Sequence, residues 1–575
     1  MTESPLPHVL ARMQTGVMLL ESGRPVQAIA TFRRAISDQP GLSDGHRLLG
    51  IALRVVRDAP GAEDSLRAAL ALDPTSGPAA YVLAQLLLEA GRAEEALVTI
   101  LPVSTTAAAD VHLLTAKGDA LKRLGRLEEA RSAYAGAATA APESAAAAHN
   151  LASIDGDLDD LEASEAAARR ALALGLDAPE TWLVLARALV GLGHAVEAEA
   201  AYRAAIARRS DDVVAQAELA QLVWMRTGDI GAAAAALDLA IGLHPRLQVL
   251  ALKKAELLQS AGDTNGALAA IAAAVAADEA EPMTHVMAAR LVMAREPARA
   301  LGHARAAVSL SPNHRLAQGA LCEAHLASGD PAAAATIASR MRATAPLDQH
   351  FIGLLATAWR LLGDPRYRRL YDYEGLVQVA MIDVPNGWRS LDTFLADVSA
   401  DLARLHAFRT HPVGQSVRHG SQTTRRLSRV ADASIQAFFQ AADGAIRRHI
   451  AALGPGDDPV RARVCSDYRF NGEWSVRLPP GGYHTSHLHP RGWLSSACYI
   501  SLPRAVAAGE GGWLKFGEPG VPTAPQLAPE HFVKPEPGMI VLFPSYMWHG
   551  TTAFSGDGAR LTVAFDVVPS TEALN

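Results

Sequence analysis

Eight glycines, at positions 23, 91, 125, 193, 228, 262, 329 and 363, recur at separations of 68, 34, 68, 35, 34, 67 and 34 residues, all near multiples of 34. Seven of them stand five residues before an alanine, and only after Gly363 does another residue, Arg368, fill that place. Alanine- and leucine-rich segments at helical spacing run between them. A helix–turn–helix unit of this length cannot bury its apolar face alone, so such units must stack on their neighbours. One unit shows the logic: Gly125 turns the chain, Ala130 permits close helix contact, Tyr134 fills the core, and Ala137 and Pro142 follow. Gly193, Ala198, Tyr202 and Ala205 repeat those offsets. Prolines at 40, 74, 142, 312 and 346 punctuate helix ends on the same register. Near Arg57, Asp159 and Glu296 the period requires a pivot that no glycine supplies. Reading these as degenerate units gives about ten or eleven repeats in a right-handed superhelix over residues 1–365. A generic alanine-rich bundle leaves the period unexplained.

A 34-residue period with a turn glycine between two helices is that of the tetratricopeptide repeat. Such a surface is expected to hold an extended peptide or a partner protein. No cluster of Lys and Asn marks a carboxylate-binding groove, and Arg203, Arg208 and Arg209 are expected on a solvated face. At 575 residues the chain is too long for one core. A net charge of −7 offers no field for a polyanion, which disfavours nucleic acid as a partner. Three dispersed cysteines, Cys322, Cys465 and Cys498, point to a reducing compartment. The first residues, Met-Thr-Glu-Ser-Pro-Leu-Pro, lack a basic-then-apolar leader, and no run of about 18 apolar residues suits a membrane. The expectation is a cytoplasmic protein with no membrane partner.

Near residue 365 the alanine-rich pattern ends. The periodicity predicts helices over Ser390–Leu405 and Ala433–Leu453, separated by a polar stretch containing Gly420-Ser-Gln-Thr423, read as a capped loop. Arg418, Arg425, Arg426 and Arg429 in that stretch are expected to form a solvated face. After Pro459, short strand-like runs follow at 460–468, 473–478, 494–502, 511–516, 526–533, 538–543 and 560–568. Their spacing predicts a β-sandwich or jelly roll over residues 366–575. The loop Phe554–Gly558 is expected to let the last two strands pair as neighbours. The fold class is therefore multidomain, an all-α repeat superhelix followed by a mostly-β jelly roll with flanking helices.

The chemistry concentrates between Tyr483 and Asp566. Residues i and i+2 of a strand share a face, so His487 and His489 suit one metal ion from one side. His549 follows a later apolar run and supplies a third ligand. Two close ligands plus a distant one is how a non-haem iron site is built, although imidazole suits zinc equally. His484, three residues before His487, is expected on the opposite strand face. Arg560 lies eleven residues after His549, with Thr562 on the same face. Tyr499 is a further pocket-lining residue, with a half-buried strand aromatic as its plain alternative. Trp493, Trp513 and Trp548 read as core or pocket wall.

Several motifs recur together here: Trp474-Ser-Val-Arg-Leu478, His487-x-His489-Pro490, Trp493-Leu-Ser-Ser496, Phe516-Gly-Glu-Pro519, Phe543-Pro-Ser545, Trp548-His549 and Arg560-x-Thr562. By them the last third of the chain resembles the 2-oxoglutarate- and iron(II)-dependent dioxygenases, more narrowly a bacterial subgroup with tetratricopeptide repeats upstream. The resemblance implies Fe(II) on His487, His489 and His549, and 2-oxoglutarate with its distal carboxylate on Arg560 and Thr562. It implies oxidation, in the form of hydroxylation, of a protein or peptide recruited by the repeats. One departure stands out: the broad superfamily has a carboxylate two residues after the first histidine, where this chain has His489. Without His489 as ligand, a two-histidine site completed by water remains. Two other readings stay open: a non-catalytic repeat scaffold with a degenerate oxygenase domain, and a cupin-like enzyme using zinc or manganese. Arg560 and Thr562 count against the last, because they make most sense with a dicarboxylate.

Overall fold

In the computed structural model, residues 6–104, 110–276, 281–509 and 511–572 are described. The first five residues, on which part of the expectation about a leader rests, lie outside them. The chain forms two compact units, Met1–Ala188 and Leu189–Asn575. The second unit thus contains both the later repeats and everything after residue 365.

Among the described residues, twenty-one helices run from Pro7–Glu21 to Gln349–Leu362. They make ten antiparallel pairs and one final helix, in keeping with the repeat count read from the glycine period. All eight pivot glycines have positive φ, between 67° and 88°, a conformation that costs glycine little and other residues more. At two of the three degenerate units the turn survives without glycine: Arg57 (φ 62°) and Asp159 (φ 61°) adopt the same left-handed backbone. The period is therefore enforced by geometry even where the residue has changed. Near Glu296 the third unit turns through Arg295 without a left-handed residue. The packing follows the predicted logic. Ala130, Tyr134 and Ala137 are buried, and a Cβ on Gly118 would meet the Tyr134 ring at 2.5 Å. The Tyr134 hydroxyl donates to Asp119 Oδ1 at 2.6 Å, satisfying its buried polar end.

In the second unit, helix Leu391–Leu405 begins at Ser390, whose hydroxyl and Thr393 form a reciprocal cap. Helix Ala433–Leu453 lies where the periodicity places it. Eleven strands follow or interleave: β1 (Gln378–Met381), β2 (Val417–Arg418), β3 (Ser421–Gln422), β4 (Tyr468–Leu478), β5 (Tyr483–His484), β6 (Leu494–Ser501), β7 (Leu514–Phe516), β8 (His531–Val533), β9 (Met539–Pro544), β10 (His549–Thr551) and β11 (Arg560–Pro569). They form a six-stranded sheet in the order β1-β9-β6-β11-β4-β3, a three-stranded sheet β10-β7-β8, and the pair β2-β5. Every pairing is antiparallel. The result is a jelly roll with flanking helices.

Three local expectations fail. Residues 460–467 are a 3-10 turn (Arg461–Arg463) and loop, because Asp458 caps the backbone at Val460 and Arg461. Ser421-Gln422 is not a loop but an edge strand on β4. The last two long strands, β9 and β11, are not neighbours. Between them the chain crosses to the smaller sheet at β10, so β11 returns on the far side of β6.

The last repeats and the jelly roll share one core. Cys322, Leu326, Phe351 and Leu355 belong to the same apolar cluster as Phe516, Phe543 and Trp548. The Trp548 indole N–H donates to Thr357 Oγ1 at 2.9 Å, and the Tyr371 hydroxyl accepts from Trp548 N–H at 2.9 Å. A second link is the segment from Ala407 to Gly414. Arg409 N–H donates to Met225 O (2.9 Å), and Trp224 Nε1–H to His411 O (3.1 Å). Val413 N–H donates to Gln221 Oε1 (3.0 Å) and Gly414 N–H to Ser260 Oγ (2.9 Å). Part of the repeat surface in this unit is thus covered by the chain's own strap. None of the described helices is long and apolar enough to cross a membrane.

Candidate metal centre

The sequence places two histidines beyond β5 and one at the start of β10, and the structure brings all three together. One ring nitrogen from each of His487, His489 and His549 lies within 4.8 Å of the others. The pair at 487 and 489 is not on a regular strand. It runs as an extended segment against the β9–β10 turn, with His487 and His549 exchanging backbone hydrogen bonds (2.8 and 3.0 Å) and His489 N–H bonded to Ser545 O (2.9 Å). The extended backbone preserves the i, i+2 relation, and the Nε2 atoms of His487 and His489 stand 3.3 Å apart.

Proton accounting fixes which nitrogens face the cluster. His487 Nδ1 lies 2.8 Å from Thr485 O, and His549 Nδ1 lies 2.9 Å from Met547 O. His489 Nδ1 lies 2.7 and 2.8 Å from the two carboxylate oxygens of Asp566. A carbonyl or carboxylate oxygen only accepts, so each Nδ1 carries a proton and Nε2 is the nitrogen left to face the cluster. Burial, then the neighbouring His489, pushes the His487 pKa down to about 3. Burial and His487 likewise hold His549 well below its usual range. Both therefore stay neutral, as a metal ligand must.

Asp566 was not among the residues singled out from sequence. It is buried, accepts also from Ser495 Oγ (2.7 Å), and so fixes the His489 ring while its own charge is spread over three hydrogen bonds. The Trp474 ring stacks on His489 at 5.6 Å. The signal was present in the pattern, since Arg560, Thr562 and Asp566 fall at even spacing on β11. His484 corrects an expectation. Its ring stacks on His487 at 5.8 Å instead of facing away, because the chain turns through Thr485 and Ser486 between them. Ser416 Oγ bridges this pair, 3.0 Å from His484 Nδ1 and 3.3 Å from His487 Nε2.

Arg560 and Tyr499 lie fully inside the jelly roll. The guanidinium sits over the Tyr499 ring at 5.0 Å and donates from Nη1 to Gly512 O at 2.8 Å. Among the described residues, Arg560 Nε and the Tyr499 hydroxyl have no hydrogen-bond partner, and no carboxylate pairs with Arg560. Burial pushes its pKa down, with Tyr499 opposing. Thr562 is on the neighbouring register, opposite Tyr499, with its hydroxyl 3.4 Å from Val476 O. An uncompensated buried cation is costly, by several kcal/mol per ion. Its retention next to an orphaned phenol fits an anionic ligand. Trp493 is core, and Trp548 is core beside the repeats.

The structure is thus a jelly roll in which three imidazoles converge closely enough to hold one metal ion. Residues 472–566 match the family described as "Putative 2OG-Fe(II) oxygenase". Residues 57–119, 111–144 and 183–247 match tetratricopeptide-repeat families. The chain thus combines tetratricopeptide repeats with a C-terminal segment that an oxygenase family model matches. Comparison with curated proteins gives no match. Among solved structures, the chain is similar to a tetratricopeptide repeat protein from Parabacteroides merdae, at 18% identity over 48% of this chain and 97% of that one, with a TM-score of 0.33. It is also similar to PilW, a type IV pilus biogenesis factor, at 16% identity over 37% and 99%, with a TM-score of 0.34. A third is YrrB, a tetratricopeptide protein with an unusual peptide-binding site, at 19% identity over 30% and 88%, with a TM-score of 0.27.

Proposed function

We propose that residues 366–575 act as an Fe(II)- and 2-oxoglutarate-dependent dioxygenase, in effect a hydroxylase, and that the repeats over residues 1–365 recruit a protein or peptide substrate in the cytoplasm. The observation that carries this reading is the set of three imidazoles, each with Nδ1 already committed to an acceptor and the remaining nitrogens gathered at one point. His487, His489 and His549 would hold the iron, leaving open positions for ligands. Arg560 would take the distal carboxylate of 2-oxoglutarate, because a guanidinium pairs bidentately with a carboxylate. Thr562 and Tyr499 offer hydroxyls to the same group. When bound, iron with 2-oxoglutarate supplies the activation of O₂ that oxidises an unactivated C–H bond, releasing succinate and CO₂.

The chain's own residues do the rest. Thr485, Met547 and Asp566 hold each imidazole in one tautomer and one orientation. Phe516 and Phe543, packed near His549 at 6.4 and 4.6 Å, keep water from that side of the site. Asp566 also supports a reason for the missing carboxylate ligand. Its negative charge stands one hydrogen bond behind His489, so the site keeps an anion close to the metal without spending a coordination position.

Anaerobic titration with Fe(II), with and without 2-oxoglutarate, tests this. The expected result is a visible charge-transfer band that needs both, absent in His487→Ala and His549→Ala. Iron binding with no such band would leave a repeat scaffold or another metal chemistry.

A further inference from the structure

Two arginines stand close to the three histidines with no carboxylate partner among the described residues. Arg560, inside the barrel, is accounted for above. Arg418 is not, and its place is unexpected: it was read as part of a solvated face, yet it is half-buried. Strand β2 pairs with β5 so that Val417 faces His484 and Arg418 faces Tyr483. Two residues before Arg418 stands Ser416, the residue that touches His484 and His487.

The guanidinium is held at one corner only. Arg418 Nη1 donates to Gln415 O and to Val417 O, both at 2.8 Å. Its Nε–Nη2 edge makes no hydrogen bond among the described residues. Two carboxylates bonded to the histidine segment have other partners: Asp566 has His489 and Ser495, and Glu518 has Lys515 and Ser486. The next residue, His419, is held in the left-handed region (φ 54°), where a non-glycine residue costs roughly 1 kcal/mol or more. This fixed bend and the strap bonded to the repeats set the position of Arg418. In chain order the segment passes from the repeats, at Gly414, to the histidines, at Ser416, and then to Arg418.

We propose that the free edge of Arg418 receives a carboxylate of the primary substrate, so that the oxygenase acts on or beside an acidic residue. The two-donor edge matches the two oxygens of a carboxylate, and a half-buried cation without a counter-ion gains most from such a ligand. This rests on the oxygenase reading, and the test separates the two. The full chain is loaded anaerobically with Fe(II) and 2-oxoglutarate, and the charge-transfer band is recorded first. Its absence overturns the oxygenase reading and this proposal with it.

With the band present, the pentapeptides Gly-Gly-Asp-Gly-Gly and Gly-Gly-Asn-Gly-Gly and the small molecule N-acetyl-aspartate amide are titrated by calorimetry. The aspartyl peptide is expected to bind at least tenfold more tightly than the asparaginyl one. That preference should vanish in Arg418→Gln and partly return in Arg418→Lys, with 2-oxoglutarate affinity within twofold of the parent. Equal binding of the two peptides, or no binding of either, overturns the proposal. So does a loss of 2-oxoglutarate affinity in Arg418→Gln, which would make Arg418 a co-substrate residue. Binding of N-acetyl-aspartate amide as tight as that of the peptide supports the carboxylate contact and assigns it to a free small acid.

Discussion

At the scale of single residues, the site is held by bonds that face away from it. His487 and His549 each lean on a carbonyl two residues earlier in sequence, while His489 leans on Asp566, which is 77 residues away. Asp566→Asn should therefore leave the fold intact but weaken iron binding by about 10- to 100-fold, the usual effect of losing a partner behind a ligand. Metal titration of the full chain checks this, and unchanged affinity would remove Asp566 from the site's support. His489→Asp should retain iron where His489→Ala does not, since a carboxylate can occupy the same position. Arg560→Ala should keep iron binding but weaken 2-oxoglutarate by up to about 3–5 kcal/mol, the scale of a broken buried charge pair. An unaltered 2-oxoglutarate affinity would exclude that role.

Among the elements, helix Gln349–Leu362 does the most to connect the repeats with the chemistry. Its Phe351, Ile352 and Leu355 are buried in the core shared with the jelly roll. Arg360 on the same helix donates to Gly517 O (2.8 Å) and Ala528 O (2.9 Å), clamping the segment between β7 and β8. Thr357 holds the indole of Trp548, the residue before His549. Thr357→Val keeps the shape but leaves that buried N–H unpaired, which should cost about 1–3 kcal/mol. Denaturant unfolding measures the loss, and a change below a few tenths of a kcal/mol would show that the contact is idle. Gly353 is the close-approach point: a Cβ there would meet the Leu488 side chain at 2.6 Å, between His487 and His489.

On the scale of the whole chain, the composition boundary near residue 365 and the compact units divide the chain differently. A fragment beginning at Arg366 would lose helix Gln349–Leu362 and expose the jelly-roll face it covers. Such a fragment is expected to lack near-ultraviolet circular dichroism, whereas residues 189–575 should retain it; a well-folded 366–575 would refute the shared core. Acid should act on the same unit. Burial, followed by nearby arginine charge at the first two, lowers the pKa of His406, His411 and His449 to about 4. In the unfolded chain these groups titrate near 6.5, so the unfolded state binds more protons between the two values. Their contribution is intact above about pH 6.5 and is lost as pH falls toward 4, by up to about 3 kcal/mol each. Urea midpoints for the metal-free protein should fall over that window, and flat midpoints would contradict the burial of these rings.

The repeat architecture was legible because a 34-residue period is a local property: each turn needs its left-handed pivot, and each helix crossing its small residue, wherever the chain goes next. The histidine pair was legible for the same reason, because two residues apart on extended backbone is a fixed distance. Strand order was not, since antiparallel pairing joins β11 to β4 and β6 through loops whose course no local pattern specifies. Nor was the role of Asp566 or the placement of Arg418, both of which depend on segments brought together from 65 or more residues away. The sequence alone determined which side chains have the chemistry. Only the tertiary structure decided which of them stand within hydrogen-bond reach, because that reach is about 3 Å and chain proximity does not set it.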